Sequence, residues 1–173
     1  MKLISDRLEC WPLTEKELVM YIRSRSEFES VMGLMQSGIG LSENTSEELS
    51  ALGYKIKHDT EASQRYFSTL WLIVERSTQC IVGQYCFNGF SDDQGAVEIT
   101  FEIEDTHRGK GLAREAVDSI LTWLKKQSNV NILWVEVAKD NIPVAKALSK
   151  LGFSRDPECS EESTTVCYFY YFK

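Results

Sequence analysis

Val97-Glu98-Ile99-Thr100-Phe101-Glu102-Ile103-Glu104 runs straight into Asp105-Thr106-His107-Arg108-Gly109-Lys110-Gly111-Leu112-Ala113. Up to Glu104 the stretch alternates without a miss. Val97, Ile99, Phe101 and Ile103 fall on one face; Glu98, Thr100, Glu102 and Glu104 fall on the other. A period of two marks a half-buried strand. From about Gly111 to Lys126 the period changes, and Ala113, Ala116, Val117, Ile120, Leu121 and Leu124 recur at three- and four-residue steps. That spacing gives a helix with one apolar stripe. A strand thus becomes a helix through a loop with glycine at 109 and 111.

Such a junction suits an anion. A helix N-terminus leaves backbone N–H groups unpaired and carries about half a positive charge, which favours a bound phosphate. Glycines at 109 and 111 let a ligand approach the backbone with no Cβ in the way, and Arg108 and Lys110 add cations. Glycine at this place also serves a plain tight turn. Two nucleotide loops are excluded by the residues themselves. A P-loop needs Lys after its second Gly, where Leu112 stands; a dinucleotide fingerprint needs a third Gly, where Arg114 stands.

Outward from this centre, the chain reads as α+β. Upstream, Arg7 to Leu13 is a short strand, and Thr14 with Glu17 three residues on is a capping box that starts a helix. Phe28 to Met35 reads as a further helix broken by Ser37-Gly38-Ile39-Gly40, and Ser46 to Lys57 as another. Leu70–Glu75 and Cys80–Phe90 are strands, with Ser91-Asp92-Asp93-Gln94-Gly95 as a hairpin connection. Downstream, Ile132–Val137 is an apolar strand. Asp140-Asn141-Ile142-Pro143 starts a helix that ends at Gly152, and Thr165–Phe172 is an aromatic, strand-like tail. With no repeat or linker, residues 1–173 read as one domain.

Composition narrows the function. Nineteen Lys and Arg against 26 Asp and Glu give a net charge of −7, which argues against broad nucleic-acid binding and leaves room for a cationic substrate. The five cysteines include no Cys-x-x-Cys pair, and with only His58 and His107 beside them there is no metal-ligand spacing. They read as buried thiols, not as nucleophiles. The longest apolar run, Leu70–Val74, is too short to span a bilayer, and Met1–Arg7 meets charge before any apolar stretch. The expected location is the cytoplasm, with no membrane partner and no direct nucleic-acid partner.

Two motifs carry a resemblance to a known family. Arg108-Gly109-Lys110-Gly111-Leu112-Ala113 matches the Arg/Gln-x-x-Gly-x-Gly/Ala pyrophosphate motif of the GNAT superfamily in full. Asn141 through Leu151-Gly152-Phe153 resembles the family's Asn-initiated helix. Ser5-Asp6-Arg7-Leu8, Trp11-Pro12-Leu13-Thr14, and Val97-Glu98-Ile99 followed by Gly109-Lys110-Gly111-Leu112-Ala113-Arg114-Glu115-Ala116 look like the RimJ/RimL-like branch, which acetylates protein N-termini and small amines. The resemblance implies a GNAT fold: a mixed, mostly antiparallel sheet of about six to seven strands flanked by helices and splayed between its two central strands.

It also implies a site and a reaction. Acetyl-CoA would lie in the splay as cosubstrate, with no metal. Backbone groups of Phe101 and Ile103 would meet the pantetheine arm and the acetyl carbonyl. The N–H groups from Arg108 through Gly109, Lys110, Gly111 and Leu112 to Ala113 would hold the pyrophosphate, and Asn141 would contact the pantetheine. Lys146 would reach the 3′-phosphate, or else sit on a solvated helix face. A primary amine would attack the thioester directly, with Glu98 as base, usually through water, and Glu102 behind it. Each glutamate is otherwise a solvent-facing or ion-paired carboxylate. The family's usual proton donors are missing: Leu148 stands in place of Tyr, and Val144 in place of the Ser of RimL-like members.

A weakly equipped base suits an acceptor that is already partly neutral. A protein α-amine titrates near 8, whereas a lysine amine near 10.4 needs about 3 kcal/mol more. The acceptor implied first is a protein or peptide N-terminus; a small polyamine, antibiotic or metabolite amine comes second. A non-catalytic acyl-CoA sensor is the alternative from another class. Residues 28–65 are expected to roof the acceptor site, and the open cleft and apolar tail permit a homodimer.

Overall fold

Leu70-Trp71-Leu72-Ile73-Val74 has no polar residue to turn outward, and the fold shows why. A computed structural model describes residues 1–41, 49, 65–88, 94–160 and 162–172. Its strands are β1 (Leu3–Ile4), β2 (Leu8–Pro12), β3 (Leu70–Glu75), β4 (Cys80–Phe87), β5 (Ala96–Ile103), β6 (Ile132–Ala138), β7 (Ser154–Arg155) and β8 (Thr165–Tyr171). The helices among the described residues are α1 (Glu15–Arg23), α2 (Arg25–Val31), α3 (Leu112–Leu124) and α4 (Ile142–Lys150). The strands form one sheet in the order β1-β2-β3-β4-β5-β6-β8-β7. Among the described residues, only β5 and β6 are parallel neighbours.

Strand β3 is covered on both sides. Trp71 and Ile73 join a core with Ala116, Ile120 and Leu124 of α3, while Leu70, Leu72 and Val74 join a second core with Leu18 and Tyr21 of α1 and Phe28 of α2. A strand buried on both faces needs no alternation. Strand β5 has one face in the first core, so Val97, Ile99 and Ile103 are buried while Thr100 and Glu102 are exposed.

The capping box forms: Glu17 N–H meets Thr14 Oγ1 at 3.4 Å, and Thr14 N–H meets the Glu17 carboxylate at 2.7 Å. The second helix sits earlier than Phe28–Met35. Ser24 Oγ accepts from Glu27 N–H at 3.2 Å and starts α2 at Arg25, and Gly33, at φ 69°, follows its end. The sheet has six longer strands, within the expected six to seven, plus the short pairings at β1 and β7, too brief to show a period. The expected helix Ser46–Lys57, Leu49 excepted, lies outside the described residues, as do the end of the Cys80–Phe90 strand and Ser91–Asp93. No helix among the described residues is long and apolar enough to cross a membrane.

One close approach lies at the end of β5. Gly83 of β4 pairs with Ile103, and a Cβ there would overlap the Glu102 carbonyl oxygen and stand 2.9 Å from Ile103 Cδ1. Gly83→Ala therefore has to push the strands apart. Overpacking of this kind costs about 1–3 kcal/mol, and at this chain length about 2–4 °C of Tm per kcal/mol. A thermal melt of Gly83→Ala is expected to fall accordingly; an unchanged Tm contradicts the described packing of β4 on β5.

Candidate functional site

Parallel strands β5 and β6 pair only at Ala96–Ile132, Val97–Leu133 and Glu98–Trp134. Beyond that register β5 stays with β4 up to Ile103, and β6 stays with β8 up to Ala138. The two strands therefore part toward their C-terminal ends. Asn88 N–H donates to the Glu98 carbonyl at 3.1 Å, and Glu104 N–H donates to the Val82 carbonyl at 3.0 Å. Backbone groups alternate in direction along an antiparallel strand. Those of Ile99, Phe101 and Ile103 thus face the gap. The Ile103 carbonyl is taken up there by Arg108 Nε at 2.9 Å.

Two helices begin at the mouth of the gap, α3 after β5 and α4 after β6. The crevice outside the carboxyl ends of adjacent parallel strands is where open α/β sheets place ligands. At α3 the N-cap is Gly111, with φ 76° and no side-chain cap, and Gly109 has φ 75°. Both angles lie in the left-handed region that glycine tolerates without a Cβ penalty. The N–H groups of Gly109, Lys110, Gly111, Leu112, Ala113 and Arg114 donate to no other described residue. A Cβ on Gly109 would meet no described residue within 4 Å, which leaves the loop open on that side among the described residues.

One member of the expected set is already engaged within the chain. The Arg108 N–H already donates to the Asp105 carbonyl at 3.2 Å, closing the turn over Asp105–His107. Its guanidinium is tied back as well, to Ile103 O and to Asp105 at 2.6 Å. Arg108 therefore braces the end of β5, and the open N–H row starts at Gly109. Lys110 is exposed, and so is Lys146 on α4.

Asn141 is the N-cap of α4, its Oδ1 accepting from Val144 N–H at 3.4 Å, so capping occupies part of its hydrogen-bonding capacity. Ile142 and Val144, 51% and 39% exposed, give this side of the mouth an apolar lip. Leu148 is buried. Neither Val144 nor Leu148 has a proton to give. Phe101 stacks on Tyr85 with centroids 6.2 Å apart and planes 16° from parallel.

Glu98 and Glu102 lie on the other face of β5. Glu98 is half-buried, Glu102 is exposed, and neither carboxylate is hydrogen-bonded or ion-paired to another described residue. Glu104 differs: Arg25, buried and also paired with Glu29 at 2.8 Å, holds it at 2.7 Å. Burial pushes the Cys10 thiol up to about 12, which removes it as a thiolate at neutral pH. The N-terminal part of residues 28–65 lies beside this face on α2; residues 42–48 and 50–64 lie outside the described residues.

Sequence reasoning assigned no role to a clamp behind the loop. Ser5 Oγ, Arg7 N–H and Arg7 Nε all donate to the Glu115 carboxylate, each at 2.7 Å. Arg7 Nη1 also donates to the Lys110 carbonyl at 3.0 Å. That carbonyl and Gly111 N–H belong to one trans peptide and point opposite ways. Holding the first on Arg7 turns the second away from Arg7. The charge of Arg7 also offsets a carboxylate in the first turns of α3 that would repel an anion. Ser5, Arg7 and Glu115 were visible as motif residues, but their meeting requires α3 to pack beside β1 and β2.

Partial burial raises the Glu115 pKa, and the hydrogen bonds from Ser5 and Arg7, with the Arg7 charge, outweigh it and hold the carboxyl below its ordinary value. A lowered carboxyl pKa stabilises the fold above the unfolded-state value of about 4.3 and loses that contribution as pH falls through the folded value. Glu115→Gln is expected to lower stability by about 1–2 kcal/mol at pH 7, allowing for solvent screening at the half-exposed Arg7. Its melting curve should converge on the wild type below about pH 4. Equal melting temperatures at pH 7 would remove the clamp from the account.

Residues 7–154 match the family described as acetyltransferase (GNAT) domain. YjdG of Bacillus subtilis (strain 168), an uncharacterized N-acetyltransferase, is 33% identical over 91 residues, 53% of this chain and 54% of that protein. The chain spans about half the length of the curated relatives it matches. Ribosomal-protein-S5-alanine acetyltransferase from Vibrio fischeri superimposes with TM-score 0.68 at 14% identity, over 99% of this chain and 96% of that one. A RimL ribosomal L7/L12 alpha-N-protein acetyltransferase in complex with coenzyme A gives 0.66 at 12% identity, over 99% and 98%. At these identities the likeness is one of fold.

Proposed function

We propose that this chain, which belongs to the GNAT acetyltransferase family, transfers an acetyl group from acetyl-CoA to a primary amine, foremost the α-amine of a protein or peptide. The observation that carries the reading is the row of open N–H groups from Gly109 to Ala113 at the mouth of the β5–β6 gap. Those donors hold the pyrophosphate, helped by the helix dipole. Lys146 on α4 answers the 3′-phosphate, and Asn141 with Ile142 and Val144 lines the pantetheine. Both cores share one sheet, which supports reading 1–173 as a single acetyltransferase domain.

Phe101 and Ile103 turn backbone groups into the gap, and the Ile103 N–H is the donor for the thioester oxygen as negative charge builds on it. Such a donor works because the strand fixes it before reaction. The amine lone pair attacks the carbonyl carbon, the C–S bond breaks, and the electrons leave as a thiolate. With a thiol pKa of about 8.5 the thiolate leaves without an acid, which suits Leu148 and Val144. Glu98 takes the amine proton through a chain of waters along β5, and Glu102 adds negative potential that favours a cationic acceptor. The reading of the function as protein α-amine acetylation draws support from the RimL and ribosomal-protein acetyltransferases that share the fold.

Steady-state thiol release by Glu98→Gln across pH 6–9 tests the base. A positioned general base contributes about 10²–10⁴-fold, and an α-amine becomes more neutral as pH rises. The expected loss is about 10²-fold near pH 6 and shrinks toward pH 9. A profile that superimposes on the wild type takes Glu98 out of the mechanism. The missing proton donors at 144 and 148 favour one other reading, an acyl-CoA sensor, for which coenzyme binding without thiol release on any amine is the mark.

A further inference from the structure

The register places Glu98, Trp134 and Phe169 in one row across β5, β6 and β8, and Glu136 opposite Cys167 in the next. Directly paired residues share a face of the sheet, as do residues two apart on one strand. Trp134, Phe169 and Tyr171 therefore stand on the Glu98 side, opposite α3 and α4. None of the three rings belongs to either core. Trp134 and Phe169 are half-buried and Tyr171 is 60% exposed. No described helix covers them.

The rings make an open row, not a cage. Trp134 to Phe169 and Phe169 to Tyr171 are each 6.4 Å between centroids, with planes tilted 35° and 31°. Carboxylates border the row at Glu98 and at Glu136, the latter hydrogen-bonded by the Thr165 hydroxyl. Burial, then the charges of Glu136, Asp156, Cys159 and Glu98, raise the Cys167 thiol pKa, so both glutamates act on one patch. Ring faces attract cations, and an apolar stem lies flat against them.

We propose that this aromatic row is the docking surface for the acceptor, a peptide N-terminus with basic residues behind it, its α-amine directed past Glu98 along β5 toward the open end of the gap and its basic side chains over Phe169 and Tyr171. The proposal rests on the acetyltransferase reading above. A second copy of the chain suits the surface poorly, because self-association would bring carboxylates of one sign together. A cage around one point suits a single ammonium group; an open row suits successive side chains. From β5 to β8 the row spans two strand spacings, about 10 Å, which is roughly the length of an extended tripeptide.

The test is equilibrium binding to the coenzyme A-loaded protein, which needs no turnover. The probes are the hexapeptides Ser-Lys-Arg-Lys-Ala-Gly and Ser-Glu-Asp-Glu-Ala-Gly, each with a free α-amine, and spermidine. The wild type is expected to bind the basic peptide at least about tenfold tighter than either other probe. Phe169→Ala and the exposed-site variant Tyr171→Ala should each weaken basic-peptide binding about 3- to 30-fold. Phe169→Tyr should restore it, and coenzyme affinity should not move. Equal peptide affinities, spermidine binding as tightly as the basic peptide, or a dimer that Tyr171→Ala dissolves would each overturn the proposal. Loss of coenzyme binding in the wild type instead counts against the acetyltransferase reading, and the free protein then serves for the peptide titration.

Discussion

Two parallel strands stop pairing after Glu98 and Trp134, and the rest of the site follows from that break. Backbone N–H and C=O groups are obligatory hydrogen-bonding groups, so a strand edge turned into a gap must meet water, a ligand or a side chain. On β5 the Ile103 carbonyl is met by Arg108, which leaves donors of the same edge for something that enters the gap. The break persists because each strand is held on its far side. Strand β4 holds β5 through Ile103, and β8 runs the whole length of β6 from Ile132 to Ala138. Neither strand depends on the other for its ladder.

The same break places two helix starts side by side, and they differ in what they offer. The α3 start is a row of N–H groups that donate to no other described residue, on two left-handed glycines and steadied from behind by Arg7. The α4 start is capped by its own Asn141 and bears exposed Ile142 and Val144. One side is built for an anion and the other for an apolar arm. A cosubstrate with a diphosphate at one end and a pantetheine beyond it meets both demands. On the far face the environment changes to carboxylates and aromatic rings, so in the proposed reading cofactor and acceptor are drawn to opposite sides of one strand by opposite charge.

How much was legible in the sequence depended on how local each feature is. The alternation of Val97–Glu104, the capping box at Thr14 and the strand–glycine–helix junction are short-range patterns, and each formed where it was read. Leu70–Val74 was legible as buried, but that two cores share it was not. The start of α2 was missed because the Ser24 cap outweighs the apolar spacing that begins at Phe28. β1 and β7 are too short to show a period. The Arg108 N–H is used three residues back, inside a turn that carries no periodic signal, and the meeting of Ser5 and Arg7 with Glu115 depends on packing across more than a hundred positions, which spacing alone does not carry. The aromatic tail was legible as a strand; its alignment beside Glu98 depends on the β6–β8 register.

The central claim is that the amides at the start of α3 and along the open edge of β5 are the ones that receive the cosubstrate. Residue-resolved amide hydrogen exchange with and without coenzyme A tests it directly. The account predicts slowed exchange at Gly109 to Ala113 and at Ile99, Phe101 and Ile103, with β3 and β4 unchanged. Saturating coenzyme that leaves those amides exchanging freely, or that protects a different surface, would contradict it.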